Sequence, residues 1–220
     1  MKLFNRLKEA AGTDWQDYVG HRFVAGLADG SLPEPAFRHY LVQDYLFLIH
    51  FARAWALAVY KADNLVDMRA ASEVVNGILN VEMKLHIDYC AGFGIGPAEM
   101  EAAPEDVATM AYTRYVLETG LAGDVLDLHV ALAPCVIGYG EIGARLAADA
   151  ATKRDGNPYL SWIEMYAGDE YADVMQGALS HLDVLAEGRL TDARFERLTR
   201  IFSQATRLET AFWQMGLDAA

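Results

Sequence analysis

A segment at residues 123–151 constrains the fold most strongly, because it is apolar on nearly every side of a helix between Val125 and Ile142. A helix of this kind has to be surrounded by protein, so the segment predicts a central, buried helix. Pro134 lies inside it, where a proline costs roughly 3 kcal/mol or more unless the fold accommodates a kink. Together with Gly138 and Gly140, it predicts a kink that opens space beside Cys135.

The rest of the chain also repeats at the helical period. No alternating β-branched segment bounded by hairpin turns competes with this interpretation, and the glycine-rich run at 92–97 is predicted to be a turn. The chain of 220 residues is therefore predicted to be all-α, one helical domain over residues 1–220. The expected helices cover approximately residues 2–11, 13–27, 33–62, 66–91, 104–120, 123–151, 158–165, 167–187 and 191–216.

Charge and cysteine content restrict the partners and the compartment. The net charge of −13 argues against nucleic acid or an anionic membrane as a partner. The N-terminus lacks the apolar core of a signal peptide. The apolar run at residues 46–60 contains His50 and Arg53 and is too short to span a bilayer. Cys90 and Cys135 show no metal or CxxC spacing, which predicts free thiols in a reducing compartment. We therefore expect a soluble, cytoplasmic protein.

Asp44, Cys135 and Glu209 lie where the helical period calls for apolar residues. Burying a carboxylate without a partner costs several kcal/mol or forces its protonation. The three positions therefore predict an enclosed site that performs chemistry. Their neighbours three, four and seven positions away are almost all apolar or aromatic: Phe37, Tyr40, Leu41, Phe47, Leu48 and Phe51 for Asp44; Phe202, Ala205, Thr206, Phe212 and Trp213 for Glu209; Leu128, Ala131, Leu132, Tyr139 and Ile142 for Cys135.

Each of these residues also has a purely structural interpretation. A buried cysteine is commonly an inert apolar side chain. Asp44 could bond tyrosine hydroxyls or backbone groups, and Glu209 could pair with an arginine of another helix. Cys90 ends a helix beside the glycine loop and is interpreted as structural.

Five segments, which together span nearly the whole chain, resemble the TenA family. Its best-known members are thiaminase II enzymes, that is, aminopyrimidine aminohydrolases. The QD pair followed by aromatics, the PCxxxYxE run and the glutamate before an FW pair are specific in combination. The segments are HRFVAGLADGSLPEPAFRHYLVQDYLFL (21–48), MAYTRYVL (110–117), PCVIGYGEIG (134–143), NPYLSWIEMYAGDEY (157–171) and ETAFWQM (209–215).

The resemblance implies a haem oxygenase-like bundle, a homotetramer (a dimer being the alternative) and a reaction that uses neither cofactor nor metal. It implies that Cys135 is the nucleophile that adds to the pyrimidine ring and that Glu209 is the acid/base at the ring nitrogen. Asp44 would hold the aminopyrimidine edge. The substrate would be 5-aminomethyl pyrimidine, or more slowly thiamin, and the product the hydroxymethyl pyrimidine. Tyr112, Tyr139 and Tyr166 correspond to pocket tyrosines that orient the substrate.

One position departs from the family pattern: Phe47 stands where many members have tyrosine, so a hydroxyl is lost and the preferred leaving group could differ. The family also has a branch without the cysteine, and Pro134-Cys135 assigns this chain to the branch that has it.

Two alternatives stay open. One is a non-catalytic pyrimidine-binding or regulatory protein of the same fold. The other is a di-metal oxidase, because Glu82 and His86 are one helical turn apart and Glu141 and His181 could join them. The late helix lacks the second histidine such a site needs, so Glu82 and His86 are interpreted as a pair behind the site or on the surface. Glu141 is expected to pair with Arg145 of its own helix.

Overall fold

The computed structural model describes residues 2–220, and within that range the chain is helical, without a β-strand. The longest helices are α4, α9 and α12. The twelve helices are α1 (Leu3–Ala11), α2 (Thr13–Val19), α3 (Arg22–Asp29), α4 (Glu34–Lys61), α5 (Leu65–Gly77), α6 (Met83–Gly92), α7 (Pro97–Ala102), α8 (Val107–Ala122), α9 (Val125–Ala148), α10 (Leu160–Ala167), α11 (Asp169–Ala186) and α12 (Asp192–Asp218).

The all-α prediction is confirmed, but three expected elements are wrong in detail. The helix expected over 13–27 is two helices, because the chain turns at Gly20 and restarts where the His21 ring accepts a bond from the Phe23 amide. The helix expected over 66–91 contains a π-helical turn, Ile78–Glu82, between α5 and α6. After the predicted glycine turn, a short additional helix, α7, begins at Pro97.

The segment predicted to be central is the core helix α9, which contacts α2, α4, α8, α10, α11 and α12. By length and composition alone, α9 is the one helix of residues 2–220 apolar enough to cross a membrane. Its apolar window is 89% buried inside the protein, which is the arrangement of a core helix.

Charged groups fix the N-terminus of α9 to α12. Asp124 and Asp127 each accept a bond from the other's amide, at 3.0 and 3.1 Å, which closes a capping box. Arg194 binds both carboxylates, and Arg197 binds the buried Asp127 at 3.0 Å. This network sets the position of α12 against α9, and these two helices carry Glu209 and Cys135.

Candidate active site

Asp44 on α4, Cys135 on α9 and Glu209 on α12 lie close enough to influence one another electrostatically. The thiol of Cys135 is half-buried, and its pKa is raised first by burial and then by Glu209, Asp44 and Glu82. The structure therefore brings together the three residues that the helical period singles out. It adds a third carboxyl group, that of Glu82.

Glu209 is almost completely enclosed, with 1% of its surface exposed. Its Oε1 accepts a hydrogen bond from the Tyr112 hydroxyl at 2.7 Å, so its partner is a tyrosine and not an arginine. Burial raises the pKa of Glu209 to about 8, the Tyr112 bond opposes that rise, and the charge of Asp44 adds to it. At neutral pH the side chain is therefore mainly a neutral acid that can donate a proton.

Asp44 is 8% exposed, and burial raises its pKa to about 7. His86 of α6 lies beside it, with Nδ1 at 3.5 Å from Oδ2 of Asp44. The tyrosine hydroxyls considered from the sequence are not its partners among the hydrogen bonds of residues 2–220. Asp44 therefore sits near the midpoint between its neutral and charged forms at neutral pH.

Aromatic rings form two walls of the site. Phe47 packs against Tyr112, with ring centroids 5.2 Å apart, which places two predicted substrate-binding residues in contact. Tyr139 and Tyr166, which are also predicted to bind the substrate, form a second pair with ring centroids 5.0 Å apart. Trp213 packs on Tyr139 at 5.2 Å and is fully buried. These pairs are packed on each other, and an aromatic face left open on either pair could stack on a flat heterocycle.

The backbone on both sides of Cys135 is held by tyrosine hydroxyls. Tyr18 donates to the carbonyl of Pro134 at 3.2 Å, and Tyr171 donates to the carbonyl of Val136 at 3.1 Å. Gly138 admits the Tyr18 ring, because a Cβ there would lie 2.4 Å from a ring carbon. The glycine next to the predicted kink thus makes room for a packed side chain. Pro134 lies within α9, which runs unbroken from Val125 to Ala148.

Glu82, interpreted from the sequence as one of a pair behind the site or on the surface, adds a third carboxyl group near Cys135. It ends the π-helical turn, and its pKa is raised to about 7 by burial and by the charge of Asp44. Single π-helical turns inside α-helices are frequent at functional sites. The spacing of apolar residues does not reveal such a turn. The spacing of Glu82 and His86 indicated only that these two residues form a pair.

Glu141 and His181, which were considered for a metal site, contact different partners. Glu141 binds Lys8 at 2.7 Å and the Trp15 indole at 3.1 Å, so its expected pairing with Arg145 is wrong. His181 packs on His129, with ring centroids 4.9 Å apart. Among residues 2–220, no three His, Cys, Asp or Glu side chains are grouped so as to hold a metal ion.

Both cysteines are free thiols, as expected. Cys90 is fully buried, and burial together with the charge of Asp44 raises its pKa to about 12. Unlike the half-buried thiol of Cys135, the Cys90 thiol has no surface that a ligand could reach. This fits the structural interpretation of Cys90.

The enclosed carboxyl groups, the thiol and the aromatic walls are features of a small-molecule site in a helical bundle, and comparison with known proteins identifies the class. The chain belongs to the TENA/THI-4/PQQC family, whose profile matches residues 9–219. A protein of Halalkalibacterium halodurans named aminopyrimidine aminohydrolase is 38% identical over 218 residues, which cover 99% of this chain and 96% of that protein. The resemblance drawn from the five segments is thereby confirmed.

Solved structures support the same assignment. The crystal structure of a TenA family transcription regulator from Silicibacter sp. matches with a TM-score of 0.93 at 47% identity, covering 98% of this chain and 96% of that one. A Shewanella denitrificans domain with a heme oxygenase-like fold matches with a TM-score of 0.75 at 15% identity, covering 98% and 92%. The second likeness concerns the fold alone, and it confirms the haem oxygenase-like bundle.

Proposed function

We propose that this protein is an aminopyrimidine aminohydrolase that converts 4-amino-5-aminomethyl-2-methylpyrimidine and water into the 5-hydroxymethyl pyrimidine and ammonia. Thiamin, with its thiazole as leaving group, is the slower substrate. The observation that carries the proposal is the enclosed carboxyl group of Glu209, which accepts a bond from Tyr112 at 2.7 Å and lies close enough to Cys135 to raise the pKa of its thiol. The name of the Halalkalibacterium halodurans relative supports the same reaction.

In the first step we assign the nucleophile to Cys135 and the acid to Glu209. A neutral aminopyrimidine resists nucleophilic addition until a ring nitrogen is protonated, and the raised pKa of Glu209 supplies that proton at neutral pH. As the Glu209 proton moves to the ring nitrogen, the sulfur of Cys135 bonds to the adjacent ring carbon. The ring loses its aromaticity, so the 4-amino nitrogen can now push electrons toward the 5-methylene group.

The thiol needs a base, because burial and three carboxyl groups disfavour its charged form. We assign this role to Glu82. Its pKa is about 7, so about half of the Glu82 side chains are ionised at neutral pH. Glu82 takes the thiol proton and gives it to the departing amine. The carbon–nitrogen bond then breaks with its electron pair on nitrogen, and an exocyclic methylene group remains.

Water completes the reaction by adding to the methylene carbon while Glu82 takes one of its protons. The carbon–sulfur bond then breaks with its electrons on sulfur, the ring nitrogen returns its proton to Glu209, and the thiolate recovers a proton from Glu82. A soft thiolate suits this cycle because it both adds and leaves readily. Asp44 holds the 4-amino edge, and Phe47, Tyr112, Tyr139 and Tyr166 hold the ring.

We further propose that the chain acts as a single cytoplasmic domain, residues 1–220, in a homo-oligomer, either a tetramer or a dimer. The net charge of −13 disfavours nucleic acid and anionic membranes as partners. Exposed apolar side chains along α5, the π-helical turn and α6 support subunit contacts. They are Leu65, Val66, Met68, Leu79, Val81 and Leu85, which are 38–74% exposed.

The test is a hydrolysis assay that compares the 5-aminomethyl pyrimidine with thiamin at equal concentrations, following the hydroxymethyl pyrimidine and the released ammonia or thiazole. We expect turnover of both compounds and a higher kcat/KM for the aminomethyl compound. Absence of hydroxymethyl pyrimidine from either reaction would overturn the proposed function.

A second candidate is a regulatory protein that binds the pyrimidine without turning it over. The observation that favours it is the likeness to the Silicibacter protein described as a transcription regulator. Tight binding of the hydroxymethyl pyrimidine in calorimetry, with no turnover of either substrate, is the result that would support this candidate over the enzyme.

A further inference from the structure

His86 bridges two neighbouring groups of α4. Its Nε2 lies 2.8 Å from the backbone carbonyl oxygen of Leu41, and its Nδ1 lies 3.5 Å from Oδ2 of Asp44. Both side chains are largely enclosed, with 10% of His86 and 12% of Asp44 exposed. One imidazole ring therefore connects α6 to the carboxyl group that we assign to the substrate's 4-amino edge.

The bond to Leu41 fixes the position of the imidazole proton. A carbonyl oxygen can only accept, so Nε2 carries hydrogen, and Nδ1 of the neutral ring is then an acceptor. Nδ1 and the carboxyl group of Asp44 attract each other only when one further proton lies between them. That proton resides on Oδ2 of Asp44 or on Nδ1 of His86. In both cases it points along the line that joins the two side chains.

The surroundings of the pair favour one shared proton. Within the part of the chain that the structure describes, His86 is the only basic side chain at ion-pair distance from Asp44. The charge of Asp44 raises the pKa of four nearby acidic groups, those of Glu82, Cys90, Cys135 and Glu209. Burial raises the pKa of Asp44 to about 7, so an enclosed Asp44 is favoured when a proton lies at its carboxyl group.

The consequence concerns what Asp44 can offer to a ligand. With the shared proton directed toward His86, the remaining lone pairs of the carboxyl group can only accept hydrogen bonds. A 4-amino group presents N–H donors to such an acceptor, whereas a 4-oxo group presents a second acceptor. Two acceptors facing each other in an enclosed site leave both unpaired, which is costly.

We propose that His86 is a positioning residue that holds Asp44 as an acceptor and so makes the pocket select 4-aminopyrimidines over their 4-oxo analogues. The inference rests on the proposed function, since it concerns the substrate class of the same site. In this proposal, His86 does not contact the substrate. His86 acts through Asp44, and we expect their 3.5 Å separation to shorten when a ligand fills the pocket.

Two substitutions separate this role from a simple tether between α6 and α4. His86→Gln keeps a donor at the position of Nε2, so it preserves the bond to Leu41 and removes the group facing Asp44. His86→Asn does the reverse, because its amide takes the position of Nδ1 and falls short of Leu41. Lys84→Gln is the matched control, since Lys84 lies exposed on the same helix and pairs only with Asp88.

We expect the wild type to bind the 4-amino product at least about 100-fold more tightly than its 4-oxo analogue, by isothermal calorimetry. His86→Gln should reduce that ratio to below about 10 and raise KM at least about tenfold, with kcat changed less than about threefold. His86→Asn should recover most of the ratio. Wild-type selectivity in His86→Gln, or a greater loss in His86→Asn than in His86→Gln, would overturn the proposal.

Nitrogen-15 NMR of the histidines in the unaltered protein gives a test that does not depend on the variants folding. We expect Nε2 of His86 to carry a proton in the unaltered protein, as its 2.8 Å contact with the Leu41 carbonyl oxygen requires. A ring protonated only on Nδ1 would overturn the inference. If the wild type binds the pyrimidine and never hydrolyses it, the proposed function fails, while the measured binding ratio still decides the role of His86.

Discussion

At the scale of single residues, burial gives three carboxyl groups a chemistry that exposed ones lack. The pKa values of Asp44 and Glu82 are raised to about 7 and that of Glu209 to about 8, with burial as the largest cause in each case. None of the three forms an ion pair with a lysine or arginine of residues 2–220. The site can therefore hold and move protons at neutral pH without a metal or an external acid in the assigned steps.

The raised pKa of Glu209 sets the pH dependence of turnover. The protonated form is the one that we assign to the ring nitrogen, so kcat/KM should fall as pH rises through about 8. Glu209→Gln cannot transfer the proton, and we expect it to lower kcat by about 10²- to 10⁴-fold. Steady-state rates from about pH 6 to about pH 9 test this. A wild-type rate that keeps rising above pH 8 would contradict the assignment of Glu209 as the acid.

At the scale of elements, α9 shows how close packing positions a reactive group. The Tyr18 ring occupies the space that Gly138 leaves, and its hydroxyl binds the carbonyl next to Cys135. Gly138, a residue type that weakens a helix, thus allows a contact that holds the backbone beside the thiol in place. The cost of glycine within a helix, about 1 kcal/mol relative to alanine, is offset by this packing.

Gly138→Ala should therefore destabilise the protein, by roughly 1–3 kcal/mol, because the new methyl group displaces the Tyr18 ring. Gly177→Ala is the matched control on α11, where a Cβ would meet nothing within 4 Å. There we expect unchanged or increased stability, since alanine is the better helix former. Urea unfolding of both variants provides the measurement, and a Gly138→Ala protein as stable as the control would show that the Tyr18 packing is not required.

The helical period predicted which residues of a helix face inward better than it predicted where a helix ends. It placed Asp44, Cys135 and Glu209 on inward faces, since apolar neighbours one and two turns away mark a buried position. It missed the division at Gly20, because the apolar repeat continues on both sides of that residue. The π-helical turn that ends at Glu82 was also missed, since one extra residue in a turn leaves the composition unchanged. The partner of Glu141 lies at Lys8, far away in the chain, where no local spacing can indicate it.

At the scale of the whole molecule, the apolar side chains left exposed on α5 and α6 support subunit assembly. Val66 is 74% exposed at the start of α5, and Leu79 and Leu85 are more than half exposed. Side chains of this kind in one region are typical of surfaces that contact another protein. The fold of one chain is complete without them, since its core is built around α9.

We expect multi-angle light scattering to give the mass of a tetramer or a dimer, well above the 24.3 kDa of one chain. Val66→Glu should lower that mass, because a charge buried between subunits without a partner is costly. Its helical content by circular dichroism should match the wild type. A monomeric wild type would contradict the proposed assembly.

The proposed reaction requires Cys135 as the nucleophile, and the rate of hydroxymethyl pyrimidine formation by Cys135→Ser beside the wild type tests this most directly. We predict a rate at least about 10³-fold lower in the variant, because a serine hydroxyl without a strong base is a poor nucleophile. The melting temperature and the affinity for the pyrimidine product should stay unchanged, which would show an intact fold and pocket. A Cys135→Ser protein that hydrolyses the aminomethyl pyrimidine at close to the wild-type rate would contradict the assignment of Cys135 as the nucleophile.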